Sequence, residues 1–439
     1  MSLRNVELDI REIKDEIEPV SLVNTGKRGQ LFWLTFGRML VTILTVGIGR
    51  FWMTTRLRKY HWSAFQLDDE PFEYTGKAVE KLVGFLIAVA ILAVYLTVVN
   101  LALAFVGLSY LQYEALALNI SILAIVPLGF WAQYRARRYI LGRTRWRGIR
   151  FGVAPGAWGY MLRASLWWLA TLATLGLAYP WQQMALARFT TSRTWFGNLR
   201  FTQHGSVGPL FRSWLLVIAP LLIVAGFGLY QWNQVWAELQ SIEWLGEDGD
   251  ISLALGAGQP VLAGLASFAG LAAIWGYVLY LRHSVFSFRY LNSHKVLADA
   301  TAFEFRLGFW QVVGVYVFGG LIVMVLSSII LTVFSILVGM FIFAAGVDPA
   351  LFERLAEGDP PWEEIAFIGA GAGIYLFAIV AIISLSQAFI TLPIMKLIAR
   401  TTEVYGLDEL ARAQQRARDE QVEAGGFADA LGADVGGAF

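Results

Sequence analysis

The feature that most constrains this chain is a series of apolar runs, each about as long as a bilayer is thick and almost free of charge. A spanning helix needs roughly 20 apolar residues. Six stretches meet that length: Leu82–Val106, Ala115–Ala132, Trp214–Trp236, Val261–Leu281, Phe309–Ala345 and Ile365–Met395. Only 15% of the residues are charged and 57% are hydrophobic. Soluble domains carry about 25% charged residues, so the deficit points to lipid as the solvent. Two further apolar stretches, Met39–Gly49 and Ala164–Ala187, are short or broken by Gly176 and Pro180.

Basic residues decide the threading, because loops rich in Lys and Arg stay in the cytoplasm. Segment 135–150 holds seven arginines and no acid, and segment 188–208 holds Arg188, Arg193 and Arg200 with no acid. Both are expected on the cytoplasmic side, so 164–187 between them must dip and return or lie in the interface. The same reasoning applies to 39–49. The six clean stretches then form three hairpins, with acidic outer loops at 237–260 and 346–364. The rival threading crosses eight times and leaves one basic loop outside. The expected class is an all-α polytopic membrane protein: six transmembrane helices in three hairpins, plus two re-entrant or interfacial helices. A bacterial inner membrane is expected, with both termini in the cytoplasm. No cleavable leader is visible in the charged N-terminus.

The sequence also repeats itself. Residues 40–76 return near 169–205, as in Thr42/Thr171, Thr45/Thr174, Gly47/Gly176, Trp52/Trp181, Phe72/Phe201 and Gly76/Gly205. Part of the unit returns again as Trp52/Trp131, Arg56/Arg135, Arg58/Arg137, Tyr60/Tyr139 and Phe72/Phe151. A weaker echo holds Arg289-Tyr290 and Phe303-Glu304-Phe305. Each unit is an apolar helix ending in Trp, a basic turn-and-a-half ending in Tyr or Phe, and a short aromatic stretch. "PFEYTG" (71–76), "RFGVAPG" (150–156) and "RFTQHG" (200–205) read as strand-like and would form a small cytoplasmic β-cap. The units divide the chain into a cytoplasmic segment (1–30), a first unit (31–156), a second unit (157–300), a third hairpin (301–402) and a cytoplasmic tail (403–439). In the tail, 403–423 reads as a surface helix with a weak apolar stripe of Leu407, Leu410 and Ala411.

Tryptophan and tyrosine favour the headgroup level, and arginine and lysine beside them meet lipid phosphates. The candidate lipid- or anion-binding face is therefore Trp52, Arg56, Arg58, Lys59, Tyr60, Trp131, Arg135, Arg137, Arg138, Tyr139, Trp181 and Arg188. An ordinary aromatic belt with positive-inside anchoring uses the same residues. The blocks that carry this pattern, 24–76 and 171–205, resemble the YjgN-like family, a bacterial inner-membrane family of unknown function. Gly47, Trp52, Arg56, Arg58, Tyr60, Phe72 and Gly76 match its pattern. The resemblance implies an inner-membrane location and brings no activity with it.

Little else carries chemistry. With no cysteine, there are no disulfides, thiolate metal sites or cysteine nucleophiles, and four histidines leave little scope for a histidine metal cluster. The net charge of +1 gives no field for nucleic acid. "GAGAG" (369–373) opens an apolar run with no strand before it, so it reads as a helix-packing face. Ionisable groups are nearly absent from the spans, which weighs against proton-coupled pumping. Neutral polar groups remain, and a candidate pathway would use Thr45, Asn100, Asn119, Thr174, Ser384 and Gln387. Interhelical hydrogen bonding is the competing use of such groups.

The sequence therefore suggests a transporter or channel-like protein of undetermined substrate. The alternative is a non-catalytic scaffold or accessory subunit that binds anionic lipid and a protein partner. A lipid-acting enzyme comes third, since only His204 and Asp68–Glu70 offer any reactive groups. No enzyme activity, cofactor or metal is expected. Membrane lipids are the expected partners, with a protein partner or homo-oligomer open.

Overall fold

Helices that end on a basic, aromatic face run directly into strands of only two to five residues. In the computed structural model, which describes residues 17–110, 114–242, 251–344 and 362–416, strand β1 (Val20–Asn24) leads into two short helices, α1 (Arg28–Leu44) and α2 (Arg50–Ala64). Strands β2 (Phe65–Leu67), β3 (Glu70–Pro71) and β4 (Glu73–Tyr74) follow. Long helices α3 (Ala78–Tyr110) and α4 (Glu114–Gly142) precede β5 (Thr144–Trp146) and β6 (Ile149–Val153). A second short pair, α5 (Ala157–Ala173) and α6 (Tyr179–Thr191), precedes β7 (Thr194–Phe196) and β8 (Leu199–Gln203). Helices α7 (Val207–Ile242) and α8 (Ile251–Ser293) lead to β9 (Lys295–Leu297) and β10 (Thr301–Phe305). Finally come α9 (Phe309–Ala344) and α10 (Trp362–Ser386). A π-helical turn (Gln387–Thr391) then leads into α11 (Leu392–Arg400), β11 (Thr402–Tyr405) and a 3-10 turn (Leu407–Arg412).

The eleven strands among the described residues belong to one antiparallel sheet, in the order β3-β2-β1-β11-β10-β9-β8-β7-β6-β5-β4. Its two edge strands, β3 and β4, are joined in the chain by Phe72 alone. The sheet is thus a nearly closed ring, and closure removes the exposed edge that invites aggregation. The two ends of the chain meet in it, with Val20 opposite Val404 and Ser21 opposite Glu403. Two-residue turns at Asp68-Asp69 and Arg147-Gly148 have positive φ at both positions, the twist that suits tight hairpins.

The ring's interior is the main core. Leu67, Trp146, Phe196, Leu297 and Val404 are buried there, with Leu22, Phe72, Phe151, Phe201 and Phe303 packed against them. Ring centroids lie 4.8 Å apart for Phe151–Phe196 and 5.9 Å for Trp146–Phe196. Leu410 and Ala413 join the same core, with Leu407 against it. The segment after β11 therefore turns into the ring. Its backbone is tied there: Thr301 donates to the Gly406 carbonyl at 2.9 Å, and the Gln414 amide donates to Asn198 at 2.9 Å. The helix pairs stand around the ring in chain order. Helix α2 packs against α3, α4 against α5, α6 against α7, α8 against α9, and α10 back against α1.

Two expectations fail here. The all-α, six-span class is wrong: an eleven-strand near-barrel anchors the helices. Among the described residues, four segments are long and apolar enough to cross a membrane: Ala78–Ala102, Val207–Gln231, Phe309–Phe341 and Gly371–Arg400. The three stretches read as a small β-cap do lie in the sheet, but most of its strands went unseen. Alternation over three residues leaves no periodic signal to detect. The second failure is the tail, where residues 402–405 form a strand and the apolar stripe continues through Ala413 rather than Ala411, facing the ring core. Of the expected acidic outer loop at 237–260, residues 237–242 belong to α7 and 251–260 to α8, because the helices run on past the apolar stretches, and 243–250 lie outside the described residues. The loop at 346–364 falls largely outside them.

Candidate lipid- and anion-binding face

Most of the basic-aromatic side chains sit on the last turns of helices, just before a strand begins. Several of them join helix to ring. Tyr60 accepts the Lys27 amide proton at 2.7 Å and donates to the Lys27 carbonyl at 2.9 Å. Arg58 is buried, its guanidinium 3.4 Å from the Tyr74 hydroxyl and 5.7 Å from the centre of that ring. Arg138 donates to the Val153 carbonyl at 3.1 Å, and Arg188 to the Gly205 carbonyl at 2.9 Å. The Tyr139 hydroxyl donates to Glu80 at 3.1 Å, and Glu80 pairs with Arg143 at 2.9 Å. Burial, with Tyr74 and Glu80 nearby, pushes the Tyr139 phenol well above its usual range. Burial pulls the Arg137 guanidinium below its usual range, partly offset by Tyr160 and Tyr134 nearby.

The rest of the set is exposed or half-buried. Trp52 and Trp181 keep about two-fifths of their surface exposed, and Arg56 and Lys59 are exposed. Arg135 stacks over Trp131 at 4.8 Å. The twelve residues thus divide into stitches between helix and ring and an outer belt of basic and indole groups.

The polar-pathway residues lie on separate elements. Thr45 and Thr174 occupy the same place in two matching helical turns. Thr45 donates to the Val41 carbonyl at 2.7 Å and accepts from the Gly49 amide at 2.7 Å. Thr174 donates to the Ala170 carbonyl at 2.8 Å and accepts from the Ala178 amide at 3.0 Å. Ser384 is buried and donates to the Val380 carbonyl at 2.7 Å. Asn100, exposed on α3, donates to the Leu96 carbonyl at 2.9 Å. Gln387 opens the π-helical turn. The Asn119 side chain lies outside the described residues.

Sequence reasoning passed over Lys295, the first residue of β9. It donates to Asn292 at 2.6 Å. Burial, reinforced by repulsion from Arg137, pushes its amine down to about 7. Lys81, fully buried 5.5 Å from the Tyr74 ring centre, was missed as well. Isolated lysines in short apolar motifs give no spacing signal. His204, a weak candidate, lies 3.0 Å from the Thr202 hydroxyl. The fully buried His283 ties α6, α7 and α8 together, with Ser213 and Gln183 each at 3.2 Å and Ser287 at 3.0 Å. Among the described residues, no group of three or more His, Asp or Glu side chains could hold a metal ion.

Long apolar helices rising from a basic and aromatic base define an integral membrane protein. Residues 20–327 match the family described as bacterial protein of unknown function (DUF898), and the chain belongs to that family. It is 24% identical over 218 residues to inner membrane protein YjgN of Salmonella typhimurium, covering 48% of this chain and 51% of that protein. The chain therefore spans about half the length of this curated relative. Both findings support the YjgN-like family read from residues 24–76 and 171–205. No solved structure matches.

Proposed function

We propose that this protein is a non-catalytic membrane scaffold, resident in the inner membrane, that holds anionic lipid and a protein partner on its ring side. One observation carries the reading: the ring's interior is packed with apolar side chains and with the chain's own segment 407–413. A filled ring makes a rigid frame and a poor conduit. The outer belt of Arg56, Lys59, Arg135, Trp52 and Trp181 supplies the headgroup contacts, and a second copy of the chain is an admissible partner. Co-purification from membranes tests it. The expected result is a stoichiometric partner that is lost when Arg56, Lys59 and Arg135 are changed to Ala while the protein stays folded. Recovery of a bare monomer from gentle extraction and from cross-linked membranes alike would defeat it.

A transport role is the second reading, favoured by the two short helix pairs. Both turn at a Gly with φ near +90°, Gly47 and Gly176. Their tips carry exposed Leu44, Val46 and Leu175, as helices dipping into lipid would. The repeated motif and the apolar tips support re-entrant insertion, the arrangement that discontinuous-helix transporters use. Liposome flux screened over ions, small solutes and lipids tests it. Absence of flux under every condition removes this reading and leaves the scaffold.

A further inference from the structure

Between the start of α1, α9 and α11 lies a cavity of about 590 Å³. That volume is in the usual range for ligand pockets, roughly 300–1,000 Å³. Its walls are of two kinds. Val315, Leu392, Pro393 and Leu397 are apolar, while Lys27, Arg28, Lys396 and Arg400 bring four positive charges and no lining residue is acidic. Among the described residues, no carboxylate pairs with any of the four.

The local electrostatics run against ordinary helix design. Helix α1 begins at Arg28, with Lys27 as its N-cap and no side chain capping its first amides. The N-terminal end of a helix carries partial positive charge and favours anions. Two cations there, with two more facing them from α11, raise one another's energy unless an anion sits between them. Places where a sequence breaks a local rule are expected to be functional. Arg28 is held over the Phe389 ring at 5.4 Å, on the π-helical turn just before α11. Gly319 of α9 sets the close approach of that turn, since a Cβ there would fall on the Phe389 carbonyl oxygen. A π-helical turn inside a long helix often marks a functional site.

The cavity's height fits an amphiphile. Val315 lies near the start of the candidate span Phe309–Phe341, and Lys396 and Arg400 near the end of Gly371–Arg400. The site thus lies where two apolar segments meet the ring, the level at which a headgroup would sit.

We propose that this cavity binds the phosphate of an acidic phospholipid from the leaflet next to the ring. Lys27, Arg28, Lys396 and Arg400 hold the phosphate, and Val315, Leu392, Pro393 and Leu397 pack against the glycerol and the first acyl carbons. This deepens the lipid-contact part of the scaffold reading with residues outside the belt, and failure of one does not entail failure of the other.

Native mass spectrometry of the full-length chain can count retained lipids after incubation with phosphatidylglycerol or phosphatidylcholine. A tightly held phosphatidylglycerol and no equivalent phosphatidylcholine is the expected result. Each Lys or Arg near a headgroup is worth roughly fivefold in affinity. Lys396→Gln should therefore weaken retention about fivefold, and K27Q/R28Q/K396Q/R400Q should abolish it. Val315→Trp puts a bulky ring into the apolar part of the cavity while keeping every charge, and should weaken retention severalfold. The control K77Q/R282Q/R289Q removes three exposed charges outside both the belt and the cavity and should leave it intact. Millimolar inorganic phosphate that displaces the lipid would confirm the phosphate site. If phosphate binds equally well without lipid, a soluble phosphate compound becomes the ligand. Equal losses in this control and the cavity variant, or retention unaffected by Val315→Trp in folded protein, would overturn the site.

Discussion

The β-ring and the helix pairs it carries satisfy their backbone groups in opposite ways, and the difference sets what each can tolerate. A helix bonds within itself, so in lipid it needs only an apolar surface. Large side chains on α3 and α9 accordingly lie open, Phe105 at 75% and Phe318 at 72% exposed. A strand bonds to its neighbours, so each short strand of the ring depends on the next around the whole circle. Apolar side chains on the helices serve solubility in the bilayer, while those in the ring serve packing. A change in the ring should propagate, and a change on a lipid face should not.

The two short helix pairs repeat this contrast on a smaller scale. At the α5–α6 turn, Trp214 donates to the Gly176 carbonyl at 2.8 Å, and a Cβ on Gly176 would come within 3.0 Å of Ile218. At the α1–α2 turn, nothing lies within 4 Å of such a Cβ on Gly47, and Val46 is 93% exposed. One tip is clamped by α7. The other is built the same way and stands open.

Changes that separate these regions can be ordered by size. Trp146→Ala in the ring should cost about 3–5 kcal/mol in equilibrium unfolding in detergent, and a loss no larger than that of a lipid-facing residue would erase the distinction. Gly176→Val combines left-handed strain with a collision and should destabilise by about 2–3 kcal/mol, against about 1–2 kcal/mol for Gly47→Val. Equal costs would mean that α7 does not clamp the tip. Lys295 sharpens the contrast through pH. Its folded-state value is depressed to about 7 from 10.5, so the unfolded chain holds more protons between those values. Stability should therefore rise as pH climbs from 7 to 10. In Lys295→Met that rise should flatten, and an unchanged pH profile would show that the amine is solvated. At the small end, Phe318→Ala on α9 should shift stability by no more than about 0.5 kcal/mol.

Much of the helical part was legible because lipid demands long apolar runs, and the stretches Trp214–Trp236 and Phe309–Ala345 overlap the spans Val207–Gln231 and Phe309–Phe341. The turns at Gly47 and Gly176 showed as paired glycines. Phe72, Phe151 and Phe201 aligned in sequence because each fills the same ring core. The ring itself was hidden. Strands such as Lys295–Leu297 are too short to show a period, and β1 finds its partner β11 at the far end of the chain. The tail misled because its helical part is a single 3-10 turn, Leu407–Arg412, whose Leu407 and Leu410 turn into the ring core instead of lying on the surface. At the candidate face, residue types were readable and roles were not. Tyr60 and Trp52 look alike as belt aromatics, yet Tyr60 clasps the Lys27 backbone while Trp52 is half exposed.

Ring closure can be tested in native membranes because the chain has no cysteine. Ser21 lies opposite Glu403 in the register of β1 and β11, and directly paired antiparallel residues have Cα atoms about 4.5–5.5 Å apart, within reach of a disulfide. S21C/E403C, with a protease site inserted between residues 243 and 250, should run after oxidation and cleavage as one species that reduction splits in two. Two separate fragments before reduction would show that the ends of the chain do not meet, and the ring would be open.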